Sequence, residues 1–349
     1  MPQAASPGAD PKAPAFTLKV GAVELQQATP GGLDYLSIED HCDMIGVAEF
    51  TLEAGRGIAF KDVTLGSDVE VSATAGAAGA STVLFKGYVV ELRHALRQGR
   101  RTLTVLAMDP LCKLAATRDV RYWEESTDSS IASSLISEFA TLGRVDSTSD
   151  VRPYVLMRNE SVLHFLRRLA ARNGYLLMAS EGSIDFVAPQ YSEAPYELDT
   201  KKVISIDYTI TSQGIPKKLT VRGWDPDAKA KVEGVATQQD HVAIGRGDLL
   251  GGQSDGIWLE ESCISDVLVT SQSDAETLAK AELQRMGRNF LRGRAVVEGD
   301  VRFRAGTRIR FTGFEEGFSP DVFVVSSRHR ISSGTGYLTE IAFCSNTRA

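Results

Sequence analysis

This chain of 349 residues has little in it that looks catalytic. Its four cysteines, Cys42, Cys112, Cys263 and Cys344, lie far apart with no Cys-x-x-Cys pair. That spacing excludes a zinc ribbon or a dithiol redox motif and predicts reduced, structural thiols in a protein made in a cytoplasm. The five histidines, His41, His94, His164, His241 and His329, show no metal-site spacing with one another, with a cysteine or with a carboxylate. There is no Gly-x-Ser-x-Gly elbow and no Walker sequence. No apolar run approaches the roughly 18 residues that a membrane-spanning helix requires, so no membrane insertion is expected. Residues 1–15 are rich in Pro, Ala and Gly and carry no apolar core of a signal peptide. They read as a disordered arm, and removing residues 1–13 is expected to leave the melting temperature of the isolated protein unchanged.

The net charge is −7, so the surface as a whole does not attract nucleic acid. A hydrophobic content of 43% over this length allows two or more domains with sizeable cores.

One stretch occurs twice. Val89-Val90-Glu91-Leu92-Arg93-His94 returns as Val324-Val325-Ser326-Ser327-Arg328-His329, and each copy leads into Leu-Thr-x-(Leu/Ile)-Ala, at 103–107 and 338–342. Residues 89–107 and 324–342 share eight identities in nineteen ungapped positions, including Gly99 and Gly334. A β-hairpin built twice predicts two related β-domains in one subunit, an assembly signature more than an active-site signature.

The intervening texture divides the chain. Residues 16–109 alternate with period two between Gly and Pro, as in Phe16 to Val20, Val69 to Ala73 and Thr102 to Ala107, and predict an antiparallel β-domain. Gly76 to Ala80 reads as a loose hairpin loop within it. Residues 110–196 read as an α+β module. Thr127 caps a helix that Gly143 stops, Ser161 caps a second helix that Asn173-Gly174 ends, and a hairpin turns at Ser180 to Ser183. Arg167, Arg168 and Arg172 sit near the C-terminal end of the second helix, where cations suit the dipole. A second β-domain is expected at 197–225 and 295–349, interrupted by a partly helical insertion at 226–294. That insertion includes a helix opened by a capping box at Ser273-Asp274-Ala275-Glu276.

Several segments offer candidate sites, each with a plainer structural role beside it. His41-Cys42-Asp43 is the densest ligand cluster, but neighbours on an extended segment point in different directions. Asp225, Asp227, Glu260 and Glu261 are the best carboxylates for a glycosidase pair, with no aromatic groove evident beside them. Arg246-Gly247-Asp248 matches a short adhesion tripeptide, and Asn159-Glu160-Ser161 matches a glycosylation sequon but serves better as a cap. Arg302, Arg304, Arg308 and Arg310 alternate with apolar residues and predict one basic hairpin face, either a wall toward a partner or lumen or a solvated face. The recurring His94 and His329 read as polar strand ends.

Several segments together resemble the phage late control protein D family, the hub proteins of contractile tails, and the N-terminal part of valine-glycine repeat protein G spikes of type VI secretion systems. They are Phe85 to Val90 with Leu103 to Asp109, Tyr122 with Ser129 to Ile136, Asn159 to Ala170 with Gly174-Tyr175, Ala275 to Phe290, Ala305-Gly306 and Gly336 to Thr339. Over about residues 16–345 the resemblance implies a mainly β fold with α+β insertions, in which two tube-like antiparallel β-barrels each carry an attached module. It implies a trimeric adaptor that joins a sixfold tube to a threefold spike in a baseplate. The implied partners are two further copies, a separate spike protein, tube or tube-initiator proteins, baseplate wedge proteins and a tape measure or cargo in the lumen, with no sequence-specific nucleic-acid binding. No oligonucleotide-binding-type barrel or β-helix follows the second barrel, so the needle is expected on another polypeptide. The family brings no catalytic, cofactor or metal residues. The alternatives are a tail-tip cell-wall hydrolase, or the N-terminal part of a secretion spike.

Overall fold

A computed structural model describes residues 15–26, 33–54, 59–74, 81–253, 258–314, 321–332 and 336–348. The expected arm, the loop at Gly76 to Ala80 and the repeat's Gly334 lie outside them.

Contacts divide the chain into two compact units. The first comprises residues up to Glu39, Gly46–Asp109 and His329–Leu338. Its strands are β1 (Ala15–Val20), β2 (Val23–Gln26), β3 (Leu33–His41, up to Glu39 in this unit), β4 (Val47–Glu53), β5 (Asp68–Thr74), β6 (Ser81–Arg97) and β7 (Arg100–Met108). They pair in the order β2-β1-β5-β6-β7-β4-β3, every pair antiparallel. Alternation supplies the buried face: Phe16, Leu18 and Val20, then Val69, Val71 and Ala73, then Leu103, Val105 and Ala107 are all buried. Register aligns these side chains across strands, with Leu18 opposite Val71 and Phe50 opposite Val105. Each fully buried Leu, Val or Phe contributes about 1.5–3 kcal/mol. Gly87 is required where β6 passes β7, since a Cβ there would lie 2.1 Å from the Met108 carbonyl oxygen. The β6–β7 turn is Gln98-Gly99, both with positive φ, the two-residue geometry that matches strand twist.

The second unit comprises Asp40–Ile45, Pro110–Arg328 and the chain from Thr339. It opens with α1 (Leu111–Ala116), β8 (Arg118–Thr127), α2 (Asp128–Phe139), β9 (Leu142–Val145), β10 (Val151–Ser161), α3 (Val162–Asn173), β11 (Leu176–Ser180) and β12 (Ser183–Val187). Local signals placed both longer helices well. The Thr127 and Ser161 hydroxyls accept N–H bonds from Ser130 and His164, and Gly174 closes α3 in the left-handed conformation at φ 68. The end of α2 differs from expectation. The helix stops at Phe139, and Leu142-Gly143 enters β9, parallel to β12, so Gly143 is a strand residue and not a helix stop. Helices and hairpins enclose one core around Ile131, Leu135, Phe165, Leu166 and Phe186.

The chain continues through β13 (Tyr196–Asp199), β14 (Val203–Ile210), β15 (Pro216–Asp225), β16 (Ala230–Thr237), β17 (Asp248–Leu249), β18 (Leu259–Ile264) and α4 (Gln272–Gly287). It ends with β19 (Leu291–Glu298), β20 (Arg308–Thr312), β21 (Asp321–Ser332), β22 (Gly336–Ser345) and β23 (Thr347–Arg348). Of residues 197–225, expected in the C-terminal β-domain, β13 and β14 join its strands, but β15 does not. Instead, β15 pairs with β16 and β18 in a separate three-stranded sheet, and α4 covers that sheet through Leu219, Val221, Ala275 and Leu283. At Gly234 in β16 a Cβ would meet the backbone of Ala275 at 2.2 Å, so glycine is what lets α4 approach. The remaining strands β13, β14, β19, β20, β21 and β22 surround Leu198, Leu291, Phe303, Ile309, Phe311, Val324 and Phe343. The fold is mainly β with α+β insertions.

The cap of α4 also differs from expectation. Ser271, not Ser273, accepts the Asp274 N–H. Ser273 and Thr277 both donate their hydroxyls to the Asp150 carboxylate, and Asp274 forms a buried ion pair with Arg172 of α3. Arg172 lies in the last turn of α3, as expected, and also makes a tertiary contact. Its Nε lies 2.8 Å from Asp274 Oδ1, and its Nη2 donates to Asp274 Oδ2 and, at 3.0 Å, to the Leu268 carbonyl.

Candidate functional site

The four arginines expected to line a basic face each meet a carboxylate. Arg302 forms a bidentate pair with Asp300, and Arg304 Nε donates to Asp40 Oδ2 at 2.7 Å. Arg310 grips Asp321 with Nε–Oδ1 at 2.7 Å and Nη2–Oδ2 at 3.1 Å, while Arg308 Nη2 lies 3.5 Å from Oδ2. Only Arg308 and Arg310 lie in a regular strand, so the predicted hairpin face is broken at residues 301–307. The basic face is therefore corrected: its charge is answered within the chain.

Asp321 is the centre of the tightest of these groups. Its side chain is 0% exposed, and Arg246 Nε also approaches Oδ2, at 3.7 Å. Burial pushes the Arg308 guanidinium down from its ordinary value, with Asp321 opposing the shift. The hydrogen bond to Asp321 raises Arg310. Asp300 is pushed up by burial, but its hydrogen bonds from Arg302 outweigh that and hold it below the usual carboxylate range. The Arg310–Asp321 pair, with Asp321 fully buried, cross-braces β20 and β21.

The other candidates do not converge. In His41-Cys42-Asp43, Cys42 is buried and donates its thiol to the Val324 carbonyl at 3.4 Å, while Asp43 is exposed. Burial pushes the Cys42 thiol well above its ordinary value. Among the described residues no group of three or more His, Cys, Asp or Glu could hold a metal ion. Glu260 and Glu261 pair with Lys217 and Lys218 on the surface, and Asp225 Oδ1 accepts the N–H groups of Asp227 and Ala228 in a turn. Register sets Lys218 beside Glu261, so Asp225 lies seven residues further along β15. At about 3.3 Å per residue this is roughly 23 Å, beyond the separation that glycoside hydrolysis needs. Arg246 of the Arg-Gly-Asp tripeptide leans on Asp321, and Asp248 enters β17. Ser161 of the sequon caps α3, and His164 lies exposed 3.6 Å from Glu160. His241 is buried with Nδ1 3.3 Å from Gln284 Oε1, and burial lowers its pKa.

The repeat and its histidines are corrected in part. Both copies are β-hairpins, formed by β6–β7 and β21–β22. Their matched strands bury opposite residues: Leu103, Val105 and Ala107 in β7, but Thr339 and Ile341 in β22. His94 is exposed, whereas His329 is 0% exposed with Nδ1 2.8 Å from the Tyr337 hydroxyl. The pair is therefore not equivalent. His94→Asn is expected to change stability by no more than about 0.5 kcal/mol. His329→Asn removes a buried hydrogen bond and is expected to cost about 1–3 kcal/mol in urea unfolding.

These features define a mainly β fold braced by internal ion pairs. The chain belongs to the family described as the Alg8 N-terminal domain, which it matches over residues 26–333. No curated protein sequence matches it. Among solved structures it is similar to the 43 kDa tail protein of prophage MuSo2 from Shewanella oneidensis, with 16% identity and a TM-score of 0.70, over 95% of this chain and 98% of that one. The tail protein from Neisseria meningitidis MC58 is similar with 14% identity and a TM-score of 0.70, over 96% and 97% of the two chains. The E. coli c3393 protein, a component of the type VI secretion system, is similar with 12% identity and a TM-score of 0.61, over 94% of this chain and 76% of that one. At these identities the likeness is one of fold, and the fold is that of phage tail and type VI secretion proteins.

Proposed function

We propose that this chain is the structural hub of a contractile injection machine, of the late control protein D kind. In this role it is a trimeric adaptor in the baseplate, joining a sixfold tube to a threefold spike. The observation that carries the reading is likeness over nearly the whole of both chains to a phage tail protein at a TM-score of 0.70. Two β-cores per chain, one within 16–109 and one around Leu198, Ile309 and Phe343, support it, since three copies would present six to a sixfold tube. The partners in this reading are two further copies, a spike protein, tube or tube-initiator proteins and wedge proteins. The site of action is the baseplate of a tail or tail-like particle. A first β-domain at 16–109, an α+β module at 110–196 and a second β-domain interrupted by an insertion that includes β15 are part of the proposal.

Mass photometry of the purified protein, alone or with a spike partner, is expected to give three copies of the 37.7 kDa chain. A two-copy or six-copy ring would overturn the reading. The role is non-enzymatic: a peptidoglycan zymogram is expected to stay unlysed, and clearing would favour the cell-wall hydrolase instead.

The likeness to the E. coli type VI component favours a second reading, the N-terminal part of a secretion spike. An open reading frame running on beyond Ala349 into a needle would support that reading over a free-standing hub.

A further inference from the structure

The β6–β7 hairpin outruns its neighbours. On one side, β5 pairs with β6 only from Ser81 to Tyr88, and the last backbone bonds along that edge join Val89 to Gly66 and Ser67. From Glu91 to Arg97, β6 pairs with β7 alone. The two-residue turn makes Arg97 and Arg100 a hydrogen-bonded pair, and the pattern then alternates. The N–H and C=O groups of Leu92, His94 and Leu96 therefore point away from β7, toward the open edge. Among the described residues no strand covers them. An uncovered strand edge is a template for another chain, and native proteins normally blunt or cover it.

The side chains along this edge have a definite chemistry. Leu96 is 69% exposed and Val90 38% exposed. Beside them Phe60, His94, Ala95, Leu96, Arg101 and Thr102 line a depression of about 210 Å³, with the Phe60 and His94 rings 6.1 Å apart. Residues 93–101 hold Arg93, Arg97, Arg100 and Arg101 and no acidic residue, in a chain whose net charge is −7. Arg93 pairs with Glu91 and Arg100 with Glu53, but neither Arg97 nor Arg101 has an ion-pair partner among the described residues.

We propose that the open edge of β6, Leu92 to Leu96, is a docking site for an extended acidic segment of a partner protein, which adds as a strand. Backbone groups of the segment pair with Leu92, His94 and Leu96. An apolar side chain of the segment enters the depression beside Leu96 and Arg101, and its carboxylates, on the opposite face, meet Arg97. A polypeptide fits better than nucleic acid, because only a backbone with alternating donors and acceptors saturates a strand edge. The inference stands on this hairpin and is independent of the baseplate reading.

The test uses the full chain and a fluorescein-labelled heptapeptide alternating glutamate with valine, with a lysine–valine peptide and single-stranded DNA as competitors. The glutamate peptide is expected to bind and to protect the Leu92, His94 and Leu96 amides from hydrogen exchange. His94→Pro removes an open-edge N–H and leaves the bonds to β7 in place, so it should bind about tenfold or more weakly than His94→Ala, which makes the same cut in the depression's lining but keeps that N–H. Reversing charge with Arg97→Glu and Arg101→Glu together should also weaken binding about tenfold or more, and raised salt should weaken the native interaction. Circular dichroism checks that each variant is folded. Absence of glutamate-peptide binding, equal binding of the lysine peptide, preferential binding of DNA, or full binding by His94→Pro would each overturn the proposal. So would self-association through this edge that excludes the peptide, since the occupant would then be a second copy.

Discussion

Arg172→Met is expected to destabilise the second unit by about 3–5 kcal/mol, read as a lowered midpoint in urea unfolding. The substitution keeps much of the aliphatic bulk and removes the guanidinium. Asp274, with its side chain 9% exposed, is then left as a buried carboxylate without its cation, and the Leu268 carbonyl loses a donor. The Asp150 carboxylate still accepts from Ser273 and Thr277, so α4 keeps that tie. The damage should therefore trace to the uncompensated charge. The double variant Arg172→Met with Asp274→Leu is the control, because replacing both ions by apolar groups is often neutral or stabilising. If the double variant is as unstable as the single one, the cost came from lost packing and the electrostatic account is wrong.

Asp321→Asn is expected to cost a similar amount, about 3–5 kcal/mol, for the opposite reason. One carboxylate with no solvent exposure answers the Arg310 and Arg308 guanidiniums, and Arg246 leans on it from a more exposed position. An amide keeps the shape and removes the charge. Two guanidiniums, one with its side chain only 9% exposed, are then left facing each other. Adding Arg308→Met should recover part of the loss. Equal stability of Asp321→Asn and the native chain would mean that water or another carboxylate already neutralises the cluster. Because the pair joins β20 to β21 at the register point Arg310–Asp321, hydrogen exchange in those two strands should accelerate first.

What was legible in the sequence was local. Ser161 and Gly174 bound α3 because a hydroxyl before an apolar helix and a glycine after it satisfy backbone groups within one turn. The Glu181-Gly182 turn joins β11 and β12 for the same kind of reason, since both residues adopt positive φ. The errors came where a distant residue chose between equivalent local options. Ser271 and Ser273 can both cap a helix. Asp150, 123 residues away from Ser273, recruits that hydroxyl and leaves the cap to Ser271. Gly143 can end a helix or enter a strand, and β12 decides for the strand. The alternating arginines suggested an open basic face because their carboxylates, Asp40 for Arg304 and Asp321 for Arg310, are not visible in the local pattern.

By itself the sequence determined the mainly β class, the positions of the two longer α+β helices and the existence of two similar hairpins. These depend on periodicities of two and 3.6 residues and on caps, which are properties of short segments. The tertiary structure decided which face each hairpin buries. The same Leu-Thr-x-(Leu/Ile)-Ala pattern hides Leu103 and Ala107 in one place and Thr339 and Ile341 in the other. A strand has two faces and its residues alternate between them, so the surrounding strands, and not the pattern, select the side that leaves water.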